Sequence, residues 1–214
     1  MPRIEQVNTP SGRFYRTPDG DFPSITTVLS HGPKPELEEW RRAVGEEEAK
    51  RVSERATRKG SALHSALESY ARGEMSLDHE FPSQDVRDAF VAVKRTLDSH
   101  VTKIRAVEVG LYSKHLRIAG TSDMVCDWDG SPAVVDYKNL GRHKHREEIE
   151  DYFVQGAAYA VMLRELTGVR YENIVVLTGY SGESYVERSS DWIPRLLQTR
   201  NRYEEYHHEN TDVA

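Results

Sequence analysis

The alternation of apolar and polar residues predicts a mixed α/β chain with its strands concentrated in one block. Residues 103–138 carry the strongest strand pattern, which ends in two segments, 121–128 and 131–138, on either side of Asp129-Gly130. An Asp-Gly pair between two apolar segments is a strong signal for a tight β-hairpin. Shorter strands are predicted at 13–16, within 24–29, at 174–178 and at 184–187.

Apolar residues spaced three and four positions apart predict the helices. Residues 36–59 are predicted to form two helices that meet at Gly45, and Ser61 is predicted to cap a separate helix over 61–72. Further helices are predicted at 84–99, 147–167 and 191–208. This order predicts an α/β fold with a central mixed sheet flanked by helices and a helical N-terminal portion. We expect a single domain over 1–214, in which 1–59 pack on 60–214.

Composition and charge narrow the class of protein. Of the 214 residues, 30% are charged and 37% hydrophobic, and the net charge is −6. This balance argues against a basic, non-specific nucleic-acid binder, but it allows an enzyme with a local basic channel around an acidic centre. No apolar run is long enough for a membrane helix, so no membrane association is expected. The single cysteine, Cys126, fits a reducing compartment and predicts a cytoplasmic location, the bacterial host cytoplasm if the chain is phage-encoded.

The hairpin around Asp129-Gly130 carries the strongest chemical signal. If these residues form the turn, Asp123 lies opposite Asp136, and alternation places Lys138 on the same face as Asp136. Facing carboxylates destabilise a sheet unless a cation holds them. Mg²⁺ prefers carboxylate and carbonyl oxygens, so we predict a Mg²⁺ site at Asp123, Asp136 and the Tyr137 carbonyl, with Mn²⁺ able to substitute. Lys138 could orient or deprotonate water and stabilise charge on a phosphate.

Other polar residues fall into patterns that could support this site. His64 and Glu68 share one helix face, so His64 could ligate the metal while Glu68 ligates through water or orients the ring. Gln155 and Tyr159 repeat this spacing on a later helix and could contact a phosphate, although a buried Tyr–Gln pair is equally ordinary. Glu108 is either an additional acidic ligand or an edge-strand glutamate.

A basic loop follows Lys138 and includes Arg142, Lys144 and Arg146. Beside a metal site, such a loop could guide a phosphate backbone, although short runs of charge are most often only solvated. We therefore predict DNA contacts at these three residues.

Four short motifs, read in order, resemble the RecB-type branch of the PD-(D/E)XK nuclease superfamily. They are Gly60-x-x-x-His64-x-x-x-Glu68, Gly120-Thr121-x-Asp123, Val135-Asp136-Tyr137-Lys138 and Gln155-x-x-x-Tyr159. The opening segment, which contains Ser24 and Thr26, is similar to phage-encoded exonucleases and to the mitochondrial genome maintenance exonuclease.

The resemblance implies a restriction-endonuclease-like fold. It also implies that His64, Asp123 and Asp136 are metal ligands, that Lys138 is the catalytic lysine, and that Gln155 and Tyr159 form the helix motif. Ser24 and Thr26 are assigned to DNA contact on the same basis.

We therefore expect a Mg²⁺-dependent deoxyribonuclease, an exonuclease acting on single- or double-stranded DNA ends in phage or bacterial recombination, repair or degradation. A recombination protein or a single-strand-binding protein is a candidate partner. Two alternatives stay open: a structure-specific endonuclease and a non-catalytic DNA-binding module on the same fold. The presence of Asp123, Asp136 and Lys138 together argues against the binding module, which has no need of all three.

Overall fold

The computed structural model describes residues 4–32, 35–76, 78–139 and 142–211. The first element of the fold is a small antiparallel sheet. Its strands are β1 (Glu5–Thr9), β2 (Gly12–Thr17) and β3 (Gly20–Pro23), in that order across the sheet.

The short helix α1 (Ile25–Ser30) follows this N-terminal sheet. The strand predicted within 24–29 is wrong, although its residues are mostly β-branched. The Ser24 hydroxyl accepts a hydrogen bond from the Thr27 amide at 3.0 Å, which satisfies one of the free amides at the start of a helix. This local cap outweighs the weak strand preference of the side chains.

Three helices then lead to the central sheet: α2 (Pro35–Val44), α3 (Glu46–Ala71) and α4 (Gln84–His100). The predicted hinge at Gly45 is confirmed, with φ at 84°. The predicted helix start at Ser61 is wrong, because α3 runs through this position without a break. Its C-terminal half is held by burial of Leu63, Ala66 and Leu67.

The central sheet has five strands: β4 (Val101–Ser113), β5 (Ile118–Trp128), β6 (Ser131–Lys138), β7 (Asn173–Thr178) and β8 (Ser184–Arg188). They lie in chain order across the sheet, with β6 and β7 parallel and the other neighbours antiparallel. After β6, a 3₁₀ turn (Arg146–Ile149) leads into α5 (Glu150–Thr167), and α6 (Ser189–Thr211) follows β8. The predicted C-terminal elements are confirmed to within a few residues of their ends.

Helices cover both faces of this sheet. Met124, Cys126 and Val135 pack with α3 and α4, whereas Val125 and Val134 pack with α5 and α6. The alternation of side chains along each strand produces these two apolar faces. The predicted restriction-endonuclease-like α/β class is therefore confirmed. No helix in the described part of the chain is both long and apolar enough to cross a membrane.

The Asp129-Gly130 hairpin forms in the predicted register, from Trp128 opposite Ser131 to Met124 opposite Val135. The pairing of β5 with β6 ends there. Beyond it, β6 stays paired with β7 as far as Lys138, and β5 stays paired with β4. Asp123 and Asp136 are thus the first residues beyond the last pair, at the point where the two strands part.

Helix α5 approaches the sheet most closely at Gly156. A Cβ atom added there would lie 2.2 Å from Ile174 Cγ2 on β7, far inside van der Waals contact. The absence of a side chain at this position sets the distance between helix and sheet. The polar side chains Gln155 and Tyr159 are carried on the same helix, so this distance also positions them.

Replacement of Gly156 by alanine should lower the free energy of unfolding by about 1–3 kcal/mol, because the methyl group overpacks the α5–β7 contact. Gly60→Ala is the matched control, since the nearest atom to its added Cβ would be Asn139 Cβ at 3.9 Å. Because Gly60 lies in a helix interior, Gly60→Ala should raise the free energy of unfolding by about 0.4–1 kcal/mol. Urea denaturation followed by circular dichroism measures both, and equal effects of the two changes would contradict the packing argument.

Candidate active site

A cavity of about 290 Å³ opens where β5 and β6 part. Side chains reach it from the N-terminal sheet, the start of α1, and from α3, β4, β5, β6 and α5. The structure brings together here most of the residues that the sequence singled out, namely Ser24, Thr26, His64, Glu108, Asp123, Asp136, Lys138, Gln155 and Tyr159.

Asp123 is held by two neighbours. Its Oδ2 atom accepts a hydrogen bond from the Tyr137 amide at 2.7 Å, and its Oδ1 atom lies 3.3 Å from His64 Nδ1. The His64 ring, carried by α3, also packs edge-on against the Tyr137 ring, with 5.8 Å between the centroids. Burial alone would lower the pKa of His64, but the carboxylates of Asp123 and Asp136 raise it above its ordinary value.

Asp136 and Lys138 form a buried ion pair. Lys138 Nζ lies 2.6 Å from Asp136 Oδ2 and donates a hydrogen bond to Gln155 Oε1 at 3.1 Å. Asp136 Oδ2 is buried, and the Lys138 ammonium is its close cationic neighbour. Burial raises the pKa of Asp136 to about 6, against the opposing effect of Lys138. For Lys138, burial acts to lower the pKa, but Asp136 and Asp123 raise it, so the ammonium form is favoured.

Gln155 and Tyr159 extend this network along α5. Gln155 Nε2 donates to the Tyr159 hydroxyl at 2.9 Å. Tyr159 in turn lies against β5, where a Cβ added at Gly120 would be 2.7 Å from Tyr159 Cε1. The amide and the phenol therefore brace Lys138 against the strand that carries Asp123.

His64, Glu108 and Asp123 each offer one atom that could bind a metal ion, and these three atoms lie within 4.8 Å of one another. Burial raises the pKa of Glu108 to about 7, with further contributions from Asp123 and Glu68. Such a concentration of carboxylates is unfavourable without a cation.

The donor set fits a divalent metal ion. Carboxylate oxygens suit Mg²⁺ and Mn²⁺, and one imidazole is compatible with the latter in particular. Asp136, paired with Lys138, adds a further buried carboxylate to the same cavity.

Two predicted residues lie beside the cavity without lining it. Glu68 is in an ion pair with Arg72 at 2.8 Å, one turn along α3. The Tyr137 side chain is buried on the face of the sheet covered by α3 and α4, and its amide is used by Asp123. A metal contact of the Tyr137 carbonyl stays a prediction.

The basic loop is only partly directed at the cavity. Arg142 forms an ion pair with Glu148, and Arg146 Nε lies 2.5 Å from Glu187 Oε1, so both guanidinium groups are engaged on the surface. Lys144 Nζ lies 6.0 Å from the centre of the Tyr152 ring, the same ring that Lys138 Nζ approaches at 4.7 Å. Of the three, Lys144 therefore shares a neighbour with the candidate site.

Arg13 is a cavity residue that the sequence analysis missed. It lies on β2 and is exposed, and its side chain forms no ion pair or hydrogen bond with any other described residue. The same face of β2 carries Tyr15, whose hydroxyl lies 3.1 Å from Thr121 Oγ1 on β5. Alternation along β2 pairs Arg13 with Tyr15, but no local signal shows that this strand docks on β5.

Comparison with known proteins gives one informative match. A family model described as the PD-(D/E)XK nuclease superfamily matches residues 36–187. No curated protein matches the sequence. Among solved structures, protein VC1899 from Vibrio cholerae aligns with 98% of this chain and 68% of its own at 13% identity, with a TM-score of 0.24. So low a score carries no argument about fold or function, and the family is shown by the family model.

Substitution of Glu108 by glutamine tests whether His64, Glu108 and Asp123 together bind a metal ion. In metal-free protein at pH 8, the change should raise the melting temperature, because it removes one of the charges that repel Asp123 and Glu68. It should also reduce the stabilisation that added Mg²⁺ or Mn²⁺ produces, since a bound ion stabilises the folded state according to its affinity. Thermal denaturation with and without metal measures both effects. Glu54→Gln, an exposed change on α3, should alter neither, and an unchanged metal response in Glu108→Gln would contradict the assignment.

Proposed function

Because the chain belongs to the PD-(D/E)XK nuclease superfamily, we propose that it is a metal-dependent deoxyribonuclease that hydrolyses phosphodiester bonds from DNA ends. The observation that carries the proposal is the convergence of Asp123, Asp136 and Lys138 in one cavity. The order of the four motifs further supports the RecB-type branch. On this proposal, a recombination protein or a single-strand-binding protein is the kind of partner expected.

His64, Asp123 and Asp136, together with Glu108 and the Tyr137 carbonyl, are the residues that would hold the metal. When bound, Mg²⁺ or Mn²⁺ supplies Lewis acidity and lowers the pKa of coordinated water. The tether between the Tyr137 amide and Asp123 Oδ2 leaves Oδ1 directed to the same side as His64. The chain therefore offers both oxygen and nitrogen ligands from strands and a helix that are themselves packed.

Lys138 is proposed to act as a fixed positive charge beside the scissile phosphate. Its raised pKa favours the ammonium form, which is suited to stabilising negative charge as the phosphodiester bond breaks. Gln155 and the Tyr152 ring restrict the position of Nζ. A fixed charge in a partly buried site is screened less by water, so it is more effective than the same charge on a mobile surface lysine.

Arg13, Ser24 and Thr26 line the opposite wall of the cavity and are proposed to contact the DNA backbone. The Ser24 and Thr26 hydroxyls lie 2.7 Å apart, and Ser24 is held by its role as helix cap. The unpaired guanidinium of Arg13 is free to form a bidentate contact with a phosphate. Lys144 is a further candidate from the basic loop.

Asp136→Asn and Lys138→Gln should each lower Mg²⁺-dependent DNA hydrolysis by at least about 10²-fold, by loss of a ligand and of transition-state charge stabilisation respectively. Release of radiolabelled nucleotides from linear DNA, with and without EDTA, measures the loss. Asp127→Asn is the matched control on β5, because Asp127 pairs with Arg105 away from the cavity. Binding of DNA without any cleavage in Mg²⁺ or Mn²⁺ would favour the non-catalytic binding module.

A covalently closed circle separates exonuclease from endonuclease. The proposed exonuclease should leave closed single- and double-stranded circles intact under conditions in which the same DNA, once linearised, is degraded. Gel electrophoresis over a time course is the measurement, with end-labelled linear DNA run in parallel at both termini. Nicking or linearisation of the circle that is lost in Asp136→Asn would establish the structure-specific endonuclease instead.

A further inference from the structure

A second cavity, of about 330 Å³, lies at the end of the central sheet opposite the candidate active site. It is bordered by the C-terminal half of α5, the residues that lead into β7, the end of β8 and the start of α6. Lys138 pairs with Thr178 at one end of the β6–β7 ladder, and Ala133 pairs with Asn173 at the other. The five residues between these pairs correspond to about 17 Å along the sheet, so the two cavities are separate.

The shape of this second cavity is fixed by the turns that meet there. Helix α5 ends at Gly168, which has φ at 74° and donates its amide hydrogen to the Arg164 carbonyl. The start of α6 is fastened to the segment before β7, because the Ser189 amide donates to the Glu172 carbonyl and the Ser189 hydroxyl to the Tyr171 carbonyl, both at 2.8 Å. The walls are therefore held in place by the chain itself.

Three arginines of the wall carry positive charge that no described residue neutralises. Arg164, Arg170 and Arg188 are exposed, and their side chains form no ion pair or hydrogen bond with any other described residue. Glu172 supplies a single carboxylate to the same wall. Because the chain as a whole has a net charge of −6, this group of arginines is a local departure from its composition.

The surface beside the cavity is neutralised instead. Arg195, further along α6, pairs with Glu150, and Arg146 pairs with Glu187, the residue before Arg188. The excess positive charge is thus concentrated in the wall of one cavity. A nucleic-acid backbone carries a charge at every nucleotide and is bound by a continuous basic surface, which these neighbouring ion pairs interrupt.

The wall of the second cavity also has an apolar part. Ala160 and Val161 of α5 and Ile193 of α6 line it. Leu197, one turn beyond Ile193, is 42% exposed, and Val169, just after the end of α5, is 40% exposed. Apolar side chains with arginines around them are typical of protein-binding surfaces, whereas a phosphate group gains nothing from apolar contacts.

We propose that this cavity binds a short acidic segment of a partner protein. One large apolar side chain of the segment enters between α5 and α6, and neighbouring carboxylates pair with the three arginines. Charge complementarity selects this occupant, since guanidinium groups bind carboxylates through two parallel hydrogen bonds. A cavity of about 330 Å³ is at the small end of ligand sites, which suits a few residues of a segment rather than a folded domain.

Selection from a library of random dodecapeptides displayed on phage tests the proposal without prior choice of a sequence. The selection uses the whole folded chain and is repeated on Arg164→Glu/Arg188→Glu, which reverses two of the charges. Arg55→Glu/Arg95→Glu is the matched control, because it makes the same change of net charge at exposed positions of α3 and α4. Enriched peptides are synthesised with fluorescein, and fluorescence anisotropy measures their binding at low and at high salt.

The stability of the variants is checked by circular dichroism before binding is compared. Arg164→Gln/Arg188→Gln, which removes the two charges without reversing them, gives a second measurement if the glutamate variant does not fold.

The enriched peptides should share two or more acidic residues within a few positions of a leucine, isoleucine or phenylalanine. Arg164→Glu/Arg188→Glu should bind them at least about 10-fold more weakly, and Ile193→Ala about 3- to 10-fold more weakly. The control should bind them within about 2-fold of the unchanged chain, and high salt should weaken the binding. Hydrolysis of linear DNA should be unaffected by Arg164→Glu/Arg188→Glu, because both arginines lie outside the candidate active site.

Three results would overturn the proposal. The selection could enrich no acidic and apolar consensus on the unchanged chain. The enriched peptides could bind Arg164→Glu/Arg188→Glu and the control equally, which would place their site elsewhere. Finally, in the Asp136→Asn background, the charge reversal could weaken the binding of single- or double-stranded oligonucleotides and leave the peptides unaffected, which would identify a surface for DNA. Peptide binding does not depend on hydrolysis, so failure of this proposal and failure of the nuclease proposal are distinguishable.

Discussion

The hydrogen bond from the Tyr137 amide to Asp123 Oδ2 is the interaction on which the candidate site depends. The last regular pair of β5 and β6 is Met124 with Val135, and Asp123 is the next residue along β5. In a continued ladder the Tyr137 amide would donate to a backbone carbonyl of β5, and here it donates to the Asp123 carboxylate instead. Because the amide is satisfied by a side chain, β6 can leave β5 and remain paired with β7. The opening created in this way admits His64 from one layer of helices and Gln155 from the other. A continued ladder would have closed the cavity and placed these side chains on opposite faces.

The electrostatics of the cavity follow from that opening. Asp123, Asp136 and Glu108 are drawn into a small volume whose other charged residues are Lys138, Arg13 and, when protonated, His64. Burial and mutual repulsion raise the pKa of Glu108 and of Asp136 toward neutrality. A structural core has no use for such an arrangement, since apolar residues of similar volume would be at least as stable. The rest of the fold, in which both faces of the sheet are apolar and covered by helices, compensates for this local cost.

The features predicted correctly from the sequence are those set by local rules. The Asp-Gly turn fixes the register of the hairpin, and the register fixes which residues face Asp123. The errors arose where two local signals compete or where packing overrides them. Residues Ile25–Ser30 are mostly β-branched but follow a serine cap, and Ser61 has the character of a cap but lies in a helix held by Leu63 and Leu67.

Other features could not be predicted because they depend on long-range docking. Arg13 reaches the cavity only because the N-terminal sheet packs on β5, through Tyr15 of β2 against Thr121 and through a bridge from Ser24, just after β3, to Ala119. About a hundred residues separate the partners of each contact. No periodicity or turn signal encodes such a contact, so Arg13 could not be identified as a cavity residue from the sequence.

The extent of the family match divides the molecule in a way that bears on substrate choice. Residues 36–187 include the acidic residues, Lys138 and the α5 network, which are the parts proposed to carry out hydrolysis. The N-terminal sheet lies outside the match, yet it provides Arg13 and Tyr15 to the candidate site. Arg13, Ser24 and Thr26, which are proposed to hold the DNA, thus lie on a segment separate from the proposed metal ligands in sequence. Hydrolysis of a phosphodiester needs the same charges whatever the DNA structure, whereas selection among DNA ends needs contacts away from the reacting phosphate. On the proposed function, the N-terminal segment is therefore where contacts that select among DNA ends would lie.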